Sequence, residues 1–169
     1  ETLSELREVE RLSEAEPEVQ CRFLEAYALE RLGRYKEAFE LLQTLPEELH
    51  TPDITAVQSV LLWRLGKRNE AKAAAEAVIQ SGVEWLWARA IATNNLGNLA
   101  LSNSEFLEAA SHFKKSAALF HATGAKDRWV GSLNNYAVAL DKMIEDEAKR
   151  GANASTLEAM SLDAERAYH

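Results

Sequence analysis

One seven-residue pattern occurs twice at a fixed distance, and it constrains the fold more than any other feature. Leu32-Gly33-Arg34-Tyr35-Lys36-Glu37-Ala38 and Leu65-Gly66-Lys67-Arg68-Asn69-Glu70-Ala71 share the order Leu-Gly-basic-x-x-Glu-Ala, offset by 33 residues. The Glu-Ala ending returns in Ser104-Glu105-Phe106-Leu107-Glu108-Ala109, 38 residues after Ala71. Asn94-Asn95-Leu96-Gly97-Asn98-Leu99-Ala100-Leu101 returns as Asn134-Asn135-Tyr136-Ala137-Val138-Ala139-Leu140 after 40 residues. A unit of this length holds two helices and a turn, yet is too short to bury an apolar face alone. Neighbouring units must therefore stack.

The spacing of apolar residues says what each unit contains. Only seven glycines and three prolines punctuate 169 residues, and β-branched alternation is nearly absent. Helical spacing dominates instead. Leu3, Leu6, Val9 and Leu12 form one stripe before Pro17, and Phe23, Tyr27, Leu29 and Leu32 form the next before Gly33. Ala38 to Leu45, Ile54 to Leu65, Ala71 to Ile79, Trp85 to Leu101, Phe106 to Phe120, Arg128 to Lys149 and Thr156 to His169 continue the series. Ser102 and Glu105 have the spacing of a capping box, and Gly151 to Ser155 breaks the penultimate helix. Antiparallel helix pairs follow, with glycine at the turn inside a pair.

These repeats resemble the tetratricopeptide repeat (TPR) family over nearly the whole chain. The resemblance implies an all-α fold, a right-handed superhelical solenoid of antiparallel helix pairs. Residues 1–17 match the second helix of a preceding repeat closed by Pro17, although Leu12 stands where the family has a small residue. Repeats then run 18–50, 51–83, 84–125 and 126–169, the last two resembling the extended 40-residue variety. Tyr35, Phe106 and Phe113 are expected to fill the space between neighbouring pairs.

In this family the first helix of each pair lines a concave groove. The resemblance therefore implies a peptide-binding stripe of Trp87, Ile91, Asn94, Asn98 and Leu101, flanked by Asn134, Val138 and Asp141 and by Ala56, Val60, Trp63 and Arg64. Phe23, Tyr27, Glu30 and Arg31 extend it. An amide donates and accepts at once, which suits the exposed backbone of an extended peptide; an asparagine bonded to the next repeat is the competing reading. The carboxylate clamp of the family's chaperone-binding members is not expected, because Phe23 and Tyr27 stand where it needs lysine and asparagine.

Composition narrows the remaining classes. Nineteen basic against 27 acidic side chains give a net charge of −8, which disfavours nucleic-acid backbone binding. Residues 1–50 carry 13 acids and 6 bases, whereas residues 51–130 carry 7 and 9. No apolar run reaches the roughly 18 residues of a membrane span. The lone Cys21 forms no internal disulfide and is expected to pack as a small buried hydrophobe. His50, His112, His121 and His169 lack metal-ligand spacing, and neither a phosphate loop nor a dinucleotide fingerprint occurs. No catalytic residue, metal or cofactor is expected. The ends at Glu1 and His169 read as cuts in a longer, cytoplasmic protein. The expected role is a non-catalytic interaction module that holds a partner's peptide or helix. Two alternatives stand beside it: a scaffold segment that self-associates through uncapped terminal helices, and the sensor part of a bacterial transcriptional regulator.

Overall fold

The computed structural model describes residues 17–82, 84–153 and 155–156. Among them are seven α-helices and no strand: α1 (Pro17–Arg31), α2 (Tyr35–Gln43), α3 (Pro52–Arg64), α4 (Arg68–Gln80), α5 (Leu86–Ser102), α6 (Phe106–Thr123) and α7 (Lys126–Lys149). A single turn of 3-10 helix, Glu47–Leu49, joins α2 to α3. Each helix packs on the next in the chain, and α3 also packs on α1 and α5. The helices assigned to residues 1–16 and 157–169, and with them the terminal faces suggested for self-association, lie outside the described residues.

Four positions of the repeated heptapeptide have a physical role. Gly33 and Gly66 adopt φ of 77° and 80°, a left-handed conformation open to a residue without Cβ. There the chain reverses through a paired hydrogen-bond cap: the Gly33 N–H donates to the Glu30 carbonyl and the Arg34 N–H to that of Leu29, at 3.0 and 2.9 Å. Gly66 and Lys67 repeat this with Trp63 and Leu62. The basic residue then pairs with the glutamate one turn on. Arg34 Nε meets Glu37 Oε1 at 2.7 Å, and Lys67 Nζ meets Glu70 Oε2 at 3.3 Å. The hydrogen bond from Arg34 holds the Glu37 carboxyl below its usual range. The closing alanines Ala38, Ala71 and Ala109 are fully buried, so neighbouring backbones approach closely.

At Ser102 the capping-box expectation is overturned. Ser102 is the last residue of α5, and its hydroxyl donates to the Asn98 carbonyl at 2.8 Å. Glu105 precedes α6 without a side-chain cap. Pro17 opens α1, where its missing N–H costs no helical hydrogen bond. Helix α3 carries a side-chain cap: Thr51 accepts from the Ile54 N–H at 3.4 Å, with Pro52 next in sequence.

The main core joins α1 to α6. Phe23, Leu42, Ile54, Leu61, Val78 and Phe120 are members at most 2% exposed, and Trp87, larger still, is 5% exposed. Each contributes about 1.5–3 kcal/mol by leaving water. A second cluster, centred on the fully buried Phe113 with Ala139 and Leu140, fastens α6 to α7. Cys21 does not join the core. It is exposed, because Val19, Phe23 and Ala26 take the inward stripe of α1.

Candidate functional site

Alternate helices build one cavity. Its wall is formed by Glu30 and Arg31 of α1, Val60, Trp63 and Arg64 of α3, Ile91, Asn94 and Asn98 of α5, and Asp127, Arg128, Gly131, Ser132 and Asn135 of α7. Phe120 of α6 is the sole contribution from the intervening helices. The volume is about 200 Å³, below the roughly 300 Å³ at which sites for drug-sized molecules begin. A peptide side chain is the size of group it admits.

Polar bonds between neighbouring helices hold the cavity in shape. Fully buried Asn95 donates from Nδ2 to the Ser59 carbonyl at 2.8 Å, tying α5 to α3. That carbonyl fixes the amide's orientation, since a reversed Asn95 would set two acceptors against each other. On the other side, Ser116 donates to the Ala90 carbonyl at 2.8 Å and lies 3.2 Å from the Ser132 hydroxyl. Asn94 Oδ1 accepts from Ser132 at 3.2 Å and from Asn135 Nδ2 at 3.3 Å. The Asn94 carbonyl is thus committed to α7.

Aromatic rings support two of the guanidinium groups. Arg64 lies over the Trp63 ring at 4.4 Å, with Tyr35 at 5.5 Å. Arg128 Nη2 donates to the Tyr27 hydroxyl at 2.7 Å, and its guanidinium sits 5.3 Å from the Tyr27 ring centroid. Tyr27 in turn stacks on Phe23 with centroids 6.4 Å apart and meets Trp87 at 6.1 Å. This contact joins the first and last described helices across 101 residues of chain.

Of the residues expected from sequence, Glu30, Arg31, Val60, Trp63, Arg64, Ile91, Asn94 and Asn98 share this wall. Tyr27 stands behind it, through Arg128. Trp87, at 5% exposure, packs edge-on to Phe23 in the core, and Phe23 and Ala56 are core residues as well. Leu101 packs half-buried against the second core cluster. Asn134 and Val138 are exposed and stand outside the cavity.

Arg128, Gly131 and Ser132 line the cavity without having been expected from sequence, whereas the α7 stripe of Asn134, Val138 and Asp141 does not line it. The signal was present: Arg128, Ser132 and Asn135 recur at helical spacing, one position out of step with the stripe through Asn134 and Val138. Among the described residues no group of three His, Cys, Asp or Glu side chains is placed to hold a metal, and no helix is long and apolar enough to cross a membrane. No protein-family model matches the chain, and comparison with curated proteins likewise finds no match.

Proposed function

We propose that this chain is a segment of a TPR-like superhelical solenoid. It acts as a non-catalytic interaction module that holds an extended peptide of a partner protein in the cavity between α1, α3, α5 and α7. The observation that carries this reading is the alternation itself: the first helix of every pair supplies the wall, while α2 and α4 supply none of it. A groove of this kind acts by preorganisation. Its side chains are held before the ligand arrives, so less conformational entropy is lost on binding. Asn98 and the free Nδ2 of Asn94 offer hydrogen bonds to a peptide backbone, and Val60, Trp63 and Ile91 offer apolar contact.

Gly131 provides the test. It lines the cavity, and a Cβ added there meets nothing within 4 Å. Gly131→Phe therefore starts a bulky side chain from open space on the cavity wall. Ala118→Phe, on the exposed face of α6, is the matched control. Capture of interacting proteins from host lysate should fall about tenfold or more with G131F, at least ~1.4 kcal/mol, and persist with A118F, both variants melting like wild type. Equal capture by G131F and wild type would refute the groove.

A further inference from the structure

The chain is acidic as a whole, but its cavity is not. Three guanidinium groups, Arg31, Arg64 and Arg128, face two carboxylates, Glu30 and Asp127, in a molecule of net charge −8. None of the three forms an ion pair among the described residues, and neither do Glu30 and Asp127 beside them, so no charge on this wall is neutralised within the chain's described part. Arg64 and Arg128 are held from behind by aromatic rings. A ring fixes a guanidinium without consuming its N–H groups. Each group has five such donors in a planar fork that matches a carboxylate. One of Arg128's five is used by Tyr27, and no bond among the described residues uses those of Arg64. Asp127, in the first turn of α7, complements the helix dipole there.

We infer that the occupant of this cavity is an acidic peptide, an aspartate or glutamate side chain of which is taken by Arg64 and Arg128 while Asn94 and Asn98 hold its backbone. The inference rests on the groove reading above and adds the chemistry of the ligand. Charge complementarity sets the direction: three of the wall's five charged groups are guanidinium groups, two of these are held in place by aromatic rings, and an aspartate or glutamate side chain is the small anion a peptide supplies along its length. The small volume adds a limit, since it fits one or two side chains and no cofactor-sized group.

The test selects peptides without assuming their sequence. A phage library of random 12-residue peptides, displayed without free C-termini, is panned on the wild-type chain and counter-selected on G131F. The strongest peptide is then synthesised, together with a copy whose Asp and Glu are replaced by Asn and Gln. Binding of both is measured by fluorescence anisotropy against wild type and the Arg64→Gln, Arg128→Gln double variant. Selected peptides should be enriched in Asp and Glu. Neutralising them should weaken binding to wild type about tenfold or more, and the double variant should bind both versions alike. The neutralised peptide leaves the protein untouched, so its weaker binding to wild type owes nothing to a folding defect, and an unchanged melting temperature of the double variant keeps the second comparison interpretable. Selected peptides that need an open cavity but lack acidic enrichment, or are rich in lysine and arginine, would overturn the acidic ligand and leave the groove standing. Peptides indifferent to G131F, or none at all, would overturn both.

Discussion

Ser104 stands at φ 63°, in the turn between α5 and α6 where the earlier pairs place Gly33 and Gly66. Its backbone makes the same cap, the Ser104 N–H donating to Leu101 and the Glu105 N–H to Ala100, at 3.1 and 2.9 Å. The geometry is therefore a property of the turn and not of glycine, but a side chain held there carries about 1–2 kcal/mol of strain. Part of that is offset because glycine loses more freedom on folding. Ser104→Gly should stabilise the chain by about 0.5–1 kcal/mol, raising the melting temperature by about 1–4 °C. Thermal unfolding followed by circular dichroism checks this, and a lower melting temperature would show that the hydroxyl makes a contact worth more than the strain. The absence of glycine at this turn also explains why the repeated heptapeptide loses its first half in the third unit, leaving only Glu-Ala to be read.

Helices α5 and α6 meet at Gly97. A Cβ there would lie 2.7 Å from Phe113 Cε1, and Phe113 is fully buried with no space to retreat. Gly97→Ala gains about 1 kcal/mol in helix propensity but overpacks the contact by about 1–3 kcal/mol. The same exchange at exposed Gly131 meets open space and keeps only the gain. Denaturant midpoints should thus move in opposite directions, down for G97A and up for G131A; a rise in both would mean that Phe113 yields. Element boundaries were largely legible in the sequence, because Gly33, Gly66 and the apolar stripes mark turns and periods directly. The site was legible only in part. The asparagine pairs align at 40 residues, yet Asn94 bonds Asn135, 41 residues on. One residue is about 100° of helix rotation, enough to turn the α7 stripe from Asn134 and Val138 to Arg128, Ser132 and Asn135. Trp87 was assigned to the groove for a related reason: the stripe it begins is real, but at that end Phe23 and Tyr27 close over it.

At the scale of the whole molecule, the Arg128–Tyr27 bond connects α1 with the start of α7, the two end helices of the series. Stacked hairpins that touch only their neighbours unfold from the ends inward. Here the ends also touch each other. Tyr27→Phe keeps the ring and removes the hydroxyl, and should cost about 0.5–1.5 kcal/mol. Hydrogen exchange should report that loss in α7 as well as α1; faster exchange confined to α1 would show that the bond couples nothing. The same contact behaves as a clasp on a bracelet. On the groove reading proposed above, the closed clasp fixes the inner circumference, and a guest is admitted or refused by its girth. A bulkier guest must first force the clasp open, and that work is subtracted from whatever its own contacts return. A single phenol thus turns the size of the opening into a graded toll, one that evolution can raise or lower without touching the wall.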